Sequence, residues 1–331
     1  MRIALDAMGS DRAPAVEVEG AVGALLDLDD LTVVLVGDQE RIRAELAQHP
    51  TVPAGRLEIV HASEVIEMHE APATAIRRKR DSSIVVGISL LKGGEVDAFI
   101  SAGSTGAVMA ASIVVLRTLK GVDRPPVGAR IPTATGRCLA LDVGANVDTK
   151  PHQLVQFAEL GSVYAEDILG IENPRVGLLN IGAEPEKGNE VVVEAHQLLS
   201  ELTDINFIGN VEGREIVSGH CDVLVADGFV GNVLLKFYES VAGLITSMLK
   251  REFAEAGVEM DLDRVFRRLD YTGIGGAPLL GVNGVVIICH GGSPPHAIQN
   301  AIGVAAQSVE RRMVEHMAAR LAGPAEGRAA P

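Results

Sequence analysis

The chain has 331 residues, of which 47% are hydrophobic and 3% aromatic, and its formal net charge is −15. The negative charge and the few aromatic rings exclude a broad nucleic-acid surface, which needs clustered basic side chains or stacking rings. No stretch approaches the roughly 20 apolar residues that cross a bilayer, and no signal-peptide pattern is present, so the sequence predicts a cytoplasmic protein. We expect one domain over residues 1–322 and a disordered tail at 323–331.

Short apolar runs alternate with longer amphipathic segments along the chain, which is typical of βα units. The runs predict strands at Arg2–Asp6, Thr32–Val36, Leu57–Val60, Asp97–Ser101, Cys138–Asp142, Arg175–Asn180, Val223–Ala226 and Val285–Cys289. The segments predict helices near Pro14–Leu26, Gln39–Ala47, Gly106–Leu119, Pro151–Leu169, Asn189–Leu199, Gly231–Ala254 and Ala297–Ala319. The strands are apolar throughout, which predicts a mostly parallel sheet covered on both faces.

Six of the predicted strands end in polar, glycine-bearing turns, which is where open α/β sheets bind ligands. The candidate phosphate- or substrate-binding residues of these turns are Asp6, Gly9, Ser101, Gly103, Ser104, Thr105, Gly106, Asp142, Asn146, Asn180, Gly182, Asn189, Asp227 and Gly231. We expect the turns to meet at one edge of the sheet. Gly103–Gly106 and Gly182–Asn189 are typical of phosphate or oxyanion cradles, since free N–H groups at a helix start attract anions. Ordinary helix capping is the alternative for any single turn.

Several other kinds of site lack their sequence signals. There is no G-x-G-x-x-G after the first strand and no G-x-x-x-x-G-K-[ST], which disfavours dinucleotide and P-loop sites. No metal-ligand spacing occurs, so we assign neither a metal nor a cofactor. Cys138, Cys221 and Cys289 are widely spaced and are interpreted as small core residues.

Lys187 lies in a glycine-bearing loop just before a predicted helix, where its ammonium could hold a phosphate. The alternative is a surface lysine paired with Glu184 or Glu186. Cys289 precedes His290 directly, but neighbouring strand residues point to opposite faces, which disfavours a nucleophile and base pair. A buried Cys289 and a His290 at the site are therefore the preferred interpretation.

Two further features concern partners. Arg77, Arg78, Lys79 and Arg80 form the densest basic run, which an acidic partner could use unless it is simply a solvated helix face. Apolar residues at helical spacing predict a helical hairpin at about 237–270. We expect its stripes to make core or dimer contacts, with only Val258, Met260 and Leu262 free to touch lipid.

Ordered blocks from Met1 to about Arg312 resemble the phosphate acyltransferase (PlsX) family. The blocks are Leu5–Gly9, Ile76–Lys79, Ser101–Gly106, Asp142–Asn146, Asn180–Asn189, Ala226–Lys236 and Gly275–Gly281. The resemblance implies a doubly wound, Rossmann-like fold similar to phosphotransacetylases and isocitrate dehydrogenases, in a homodimer with weak peripheral membrane contact. It also implies transfer of a fatty acyl group from acyl carrier protein to inorganic phosphate. The acyl phosphate product would serve phospholipid (phosphatidic acid) synthesis, with a glycerol-phosphate acyltransferase downstream.

The family's activity residues carry over to Lys187 and Asn232, which lie in matching blocks. We assign Lys187 to the phosphate or the developing oxyanion, Asn232 to the thioester carbonyl and His290 to proton handling. Phosphate is itself a competent nucleophile, so no covalent intermediate is required. The alternatives are a phosphotransacetylase-like enzyme that uses a coenzyme A thioester, and a non-catalytic membrane-associated scaffold.

Overall fold

A computed structural model describes residues 1–49, 52–53, 55–257 and 275–322. The predicted tail at 323–331 therefore lies outside the described residues. So does the second half of the predicted hairpin, including Val258, Met260 and Leu262.

Contacts within the chain divide it into two compact units. The first unit comprises Met1–Pro125, Asp167–Gly170 and Thr272–Pro331, and the second comprises Pro126–Glu166 and Ile171–Tyr271. Each unit has a sheet of its own. That residues 1–322 act as one domain stays a prediction.

The first unit is built on a six-stranded sheet in the order β10-β11-β4-β1-β2-β3. These strands are β1 (Arg2–Asp6), β2 (Thr32–Gly37), β3 (Leu57–His61), β4 (Ala98–Ser101), β10 (Ala277–Pro278) and β11 (Val285–Ile288). Only β10 runs antiparallel to its neighbour. Ile3, Leu5, Val34 and Ile100 have no exposed surface, as expected of strands covered on both faces.

The second unit is built on a five-stranded sheet in the order β5-β6-β9-β7-β8. Its strands are β5 (Gly128–Thr133), β6 (Gly136–Leu141), β7 (Arg175–Asn180), β8 (Asn206–Glu212) and β9 (Val223–Val225). The β5 strand is antiparallel to β6, and the other pairs are parallel. The eight predicted strands are thus confirmed, while β5, β8 and β10 were not predicted.

Ten helices accompany the sheets in the described residues. They are α1 (Ala15–Asp27), α2 (Gln39–Leu46), α3 (Pro72–Arg78), α4 (Ser83–Gly93), α5 (Thr105–Ala111), α6 (Pro151–Asp167), α7 (Glu190–Glu201), α8 (Gly228–Glu255), α9 (Pro295–Glu310) and α10 (Met313–Ala322). A π-helical turn, Ser112–Leu116, extends α5, and a 3₁₀ turn, Gly213–Ser218, follows β8.

The helix predictions need two corrections. The helices α3 and α4 were not predicted at all. The segment predicted as one helix over Ala297–Ala319 consists of α9 and α10, which are separated at Arg311 and Arg312. Arg312 has a left-handed φ of 54°, which a continuous helix does not allow.

The helix α8 corrects the expectation that no stretch approaches membrane-spanning length. Its 28 residues are long and apolar enough to cross a bilayer by length and composition, and its most apolar window is only 11% buried. Exposed apolar side chains recur along it at Val233, Phe237, Leu244 and Met248. This spacing gives α8 an apolar stripe.

An acidic side chain that the sequence did not flag is buried in the first unit. Glu17, on α1, has no exposed surface, and its Oε1 accepts a hydrogen bond from the Ser10 backbone N–H at 2.9 Å. Its Oε2 has no hydrogen-bond partner among the described residues. Burial raises the pKa of Glu17 from 4.5 to about 7, because the charged form loses its hydration.

Replacing this residue, Glu17→Gln, should stabilise the protein above neutral pH. Between pH 4.5 and about 7 the unfolded carboxyl loses its proton first, so wild-type stability falls as the pH rises. Each pKa unit corresponds to about 1.4 kcal/mol, which makes this loss on the order of 3 kcal/mol at pH 8. Denaturant unfolding at pH 4 and pH 8 measures it. An advantage of the variant that is the same at both pH values would contradict the raised pKa.

Candidate functional site

Three of the polar turns meet in the first unit, at the carboxyl ends of the neighbouring strands β1, β4 and β11. The Ser101 hydroxyl donates to Asp6 Oδ2 at 2.6 Å and accepts from the Gly103 backbone N–H at 3.0 Å. Both Asp6 and Ser101 are buried, and burial raises the pKa of Asp6 while the bond from Ser101 opposes the rise. These bonds hold the turn after β1 against the turn after β4.

Gly9 is required where these two turns approach one another. A Cβ at Gly9 would lie 2.5 Å from the Gly103 backbone nitrogen, which no real side chain tolerates. Ser104 precedes α5 without capping it through its side chain, and Thr105 and Gly106 form the first turn of α5. The turn thus leads directly into the start of α5, and its role as a phosphate cradle stays a prediction.

The neighbouring residues Cys289 and His290 have different environments, as predicted. Cys289 is buried, and burial raises the pKa of its thiol to about 12, which leaves no thiolate at neutral pH. His290 is exposed, and its Nδ1 accepts a hydrogen bond from the Gly292 backbone N–H at 3.0 Å. Cys138 and Cys221 are also buried, which confirms that all three are core residues.

The basic run lies at the end of α3. Arg77, Arg78 and Arg80 are exposed and form no ion pair with any residue that the structure describes. Lys79 differs, because its ammonium pairs with Glu70 and donates to the Val65 carbonyl at 2.6 Å. Three of the four predicted docking residues are thus available to a partner.

The other three turns follow β6, β7 and β9 in the second unit. The sequence predicted one common edge, but the six turns divide between two sheets because the strands do. Each set occupies the carboxyl ends of three neighbouring parallel strands.

Asp142 organises the turn after β6. Its carboxylate accepts hydrogen bonds from the backbone N–H groups of Val127, Ala145 and Asn146 at 3.1, 3.0 and 2.6 Å. The Asn146 side-chain amide adds a bond at 2.9 Å. Burial raises the pKa of Asp142, and these donors oppose the rise. With its lone pairs so occupied, Asp142 shapes the turn rather than offering a free carboxylate.

The start of α8 packs directly on this turn. The Gly228 N–H donates to the Asn146 carbonyl at 2.8 Å, and a Cβ at Gly231 would lie 1.9 Å from the Asp142 carbonyl oxygen. Only glycine permits that approach. Asp227 caps α8 by accepting from Val230 N–H at 2.9 Å, and Asn232 follows in the second turn, beside Gly144.

The turn after β7 is a closed loop that presents Lys187. Asn180 accepts from the Ile181 N–H at 2.8 Å through Oδ1 and donates to the Lys187 carbonyl at 2.8 Å through Nδ2, which closes the loop. Gly188 has a left-handed φ of 101°, and a Cβ there would lie 2.6 Å from Asn180 Oδ1. Asn189 then caps α7 by accepting from Val192 N–H at 2.9 Å.

Lys187 itself is exposed within that loop. It forms no ion pair with any described residue, so the alternative of a pair with Glu184 or Glu186 is not what the structure contains. Gly182 lies close beside it, since a Cβ there would be 3.0 Å from Lys187 Cγ. An unpaired ammonium at the start of a 12-residue helix is suited to binding an anion.

An apolar cavity of about 440 Å³ in the second unit is lined by chain neighbours of two of the three predicted catalytic residues, Lys187 and Asn232. The third, His290, belongs to the first unit. The rim of the cavity includes Gly188, which follows Lys187, and Val233, which follows Asn232. Asn180, Asn189 and Asp227 also line it. Its volume lies in the range of about 300–1,000 Å³ that is usual for small-molecule sites. We call it the inner cavity.

The inner cavity contains residues that sequence reasoning missed. Its walls include Leu178, Gly213, Ile216, Leu234 and Phe237, which come from three separate elements. The sequence around Leu178 and Ile216 indicates only ordinary core residues. Of the five, only Phe237 belongs to the apolar stripe of the predicted helical hairpin. Apolar residues that converge from distant segments carry no local motif, so no sequence signal marked this cavity.

The fold places the protein in a known class. A solved phosphotransacetylase from Streptococcus pyogenes superimposes with a TM-score of 0.63 at 19% sequence identity, and the match covers 94% of each chain. The protein therefore has the doubly wound, Rossmann-like α/β fold of the phosphotransacetylases.

Relatives in sequence define the family more closely. The family model described as "Fatty acid synthesis protein" matches residues 1–316. A phosphate acyltransferase from Heliobacterium modesticaldum is 50% identical over 334 residues, which cover 98% of this chain and 99% of that protein. The phosphate acyltransferase of Desulforamulus reducens is 50% identical over 95% of each chain. The chain belongs to the phosphate acyltransferase family, and it is a transferase of lipid synthesis.

Proposed function

We propose that this enzyme transfers a fatty acyl group from acyl carrier protein to inorganic phosphate, for use in phosphatidic acid synthesis. The observation that carries the proposal is the inner cavity, an apolar space lined by Gly188, which follows Lys187 in the chain, and by Val233, which follows Asn232. A fatty acyl chain needs such a space, since each buried methylene contributes about 0.8 kcal/mol. An anion site beside it suits phosphate.

The chemistry needs only positioning and charge stabilisation. An oxygen of hydrogen phosphate attacks the thioester carbonyl carbon, the new C–O bond forms and the C–S bond breaks. The proton of hydrogen phosphate ends on the departing sulfur, which leaves an acyl phosphate and a free thiol. Lys187 would neutralise the phosphate, and Asn232 would donate to the carbonyl oxygen as its charge grows. The role of His290 in the proton transfer stays a prediction.

Loss of carrier-linked thioester in the presence and absence of phosphate tests the proposal. Phosphate-dependent consumption of acyl carrier protein thioester supports it. Much faster consumption of acyl coenzyme A would favour the phosphotransacetylase-like alternative. If neither thioester is consumed, the result would favour the alternative of a non-catalytic, membrane-associated scaffold.

The proposal extends to the surroundings of the enzyme. We infer a cytoplasmic homodimer with weak peripheral membrane contact, and the exposed apolar stripe on α8 supports it. Phe237 and Leu244 on that stripe are 67% and 58% exposed, which is unusual for side chains that meet only water. A glycerol-phosphate acyltransferase would consume the product.

Reversing two charges of the basic run should weaken docking of the acidic carrier protein. The variant Arg77→Glu/Arg78→Glu should raise KM for the carrier-linked donor by roughly tenfold at low salt, since steering by opposite charge is lost. High salt should shrink the difference, because it screens exposed charges.

A matched control is Arg43→Glu/Lys92→Glu, which changes the net charge equally at two exposed residues elsewhere in the first unit. An equal rise of KM in both double variants would show that net charge, rather than this run, governs the encounter. An unchanged KM in the first would place docking elsewhere.

A further inference from the structure

A second cavity of about 490 Å³ adjoins the inner cavity within the second unit. We call it the outer cavity. The two share Leu154, Asn189, Val192, Asp227 and Val230, so they lie side by side along this common wall. The residues that line the outer cavity alone have no role assigned so far.

The walls of the outer cavity differ in chemistry from those of the inner one. The residues that belong to it alone are Val147, Asp148, Thr149, Val191 and Phe229, which mix apolar and polar groups. Phe229 and Val147 are 61% and 57% exposed, at the start of α8 and in the turn after β6. Large apolar side chains so placed suit a ligand that lies over them.

Thr149 supplies an independent observation. Its hydroxyl oxygen is shielded from solvent and has no hydrogen-bond partner among the described residues. A buried hydroxyl without a partner costs roughly 1–3 kcal/mol, so a ligand that satisfies it is favoured. Thr149 lines the outer cavity, so a ligand bound there could satisfy the hydroxyl after a change of its staggered side-chain rotamer.

A thioester donor has two arms that leave its reacting carbon in opposite directions. One is the apolar acyl chain, and the other is the carrier arm, a flexible pantetheine chain in which methylenes alternate with amides. If the acyl chain fills the inner cavity, the arm has to leave past the common wall at Asn189 and Asp227. The mixed lining of the outer cavity suits such an arm, since amides need hydrogen-bond partners and methylenes need apolar cover.

We propose that the outer cavity binds the pantetheine arm of the thioester donor, with Thr149 donating to or accepting from one of its amides. This inference rests on the proposed function, because it assumes an acyl chain in the inner cavity. It adds a subsite and assigns a binding role to Thr149, Val147 and Phe229.

The test uses the full-length enzyme with decanoyl-pantetheine and dodecanoyl-pantetheine as donors, so that no carrier protein surface contributes. Thr149→Val should raise KM for both donors by about three- to tenfold, the size of one neutral hydrogen bond. Its KM for phosphate and its preference between the two chain lengths should stay as in the wild type. Thr149→Ser, which keeps the hydroxyl, should restore the wild-type KM.

A second variant does not depend on the hydroxyl. Phe229→Ala removes apolar cover from the outer cavity and should likewise raise KM for both donors. Val217→Ala is its matched control, because Val217 is 52% exposed in the same unit and lines neither cavity. The control should leave KM unchanged.

The outcomes separate this inference from the proposed function. If the wild-type enzyme transfers no acyl group from any thioester to phosphate, the proposed function fails. If the wild type is active but Thr149→Val and Phe229→Ala keep their donor KM, the outer cavity does not bind the arm. An effect confined to the longer chain would assign the outer cavity to the acyl group and overturn the inference as well.

Discussion

Lys187→Ala should lower the rate of acyl transfer by about 10²–10³, because removal of one preorganised contact to a developing charge has effects of this size. The side chain is exposed on a loop that backbone and Asn180 contacts close, so the fold should not depend on it. The free energy of unfolding, measured by thermal denaturation, should therefore stay within about 0.5 kcal/mol of the wild-type value.

Asn232→Ala should behave alike, and the double variant distinguishes a shared role from two separate ones. If both residues stabilise one transition state, the double variant loses less than the product of the two single losses. Lys236→Ala is a matched control, since Lys236 is also an exposed lysine and lies one turn beyond Asn232. Full activity of Lys187→Ala at subsaturating phosphate would show that this lysine is only a surface charge.

Gly213→Leu should shift the enzyme toward shorter acyl chains. Gly213 lines the inner cavity, and a Cβ there would meet no atom within 4 Å, so a larger side chain fits at this position of the lining. A leucine side chain occupies space that several methylenes would otherwise fill. At about 0.8 kcal/mol for each excluded methylene, the longest accepted chains should lose on the order of 10² in kcat/KM.

This experiment has two controls, a donor with a short acyl chain and the same substitution at a second glycine. Octanoyl donors should be used by Gly213→Leu about as well as by the wild type, since a shorter chain needs less of the cavity volume. Gly243→Leu adds the same side chain at an exposed glycine of α8 that also has no atom within 4 Å and lies outside the cavity. An equal loss for all chain lengths in Gly213→Leu, or the same shift in Gly243→Leu, would contradict an acyl chain in this cavity.

How much of the fold the sequence predicts depends on how strongly each segment signals burial. The strand Thr32–Gly37 is an unbroken apolar run and was predicted almost to the residue. The strand Asn206–Glu212 mixes polar side chains with Gly209, whose φ is 93°, and it was missed. The helix Ser83–Gly93 was missed because Val, Ile and Gly interrupt its helical signal.

The candidate site divides in the same way. Lys187 could be proposed from the sequence because a lysine in a glycine-bearing loop before a helix start is a local pattern. The division of six turns between two sheets could not, because strand order is set by contacts between distant segments. The surroundings of Gly213, Thr149 and the buried Glu17 are formed by residues that are far away in sequence, so no local pattern predicted their environment.

Incubation of the enzyme with acyl carrier protein thioester and phosphate labelled with ¹⁸O at all its oxygens tests the proposed function most directly. Mass spectrometry should find an acyl phosphate that keeps all the labelled oxygens, formed in step with free carrier thiol. Without phosphate the thioester should persist. Release of unlabelled free fatty acid, at a rate that does not depend on phosphate, would contradict direct attack by phosphate on the thioester.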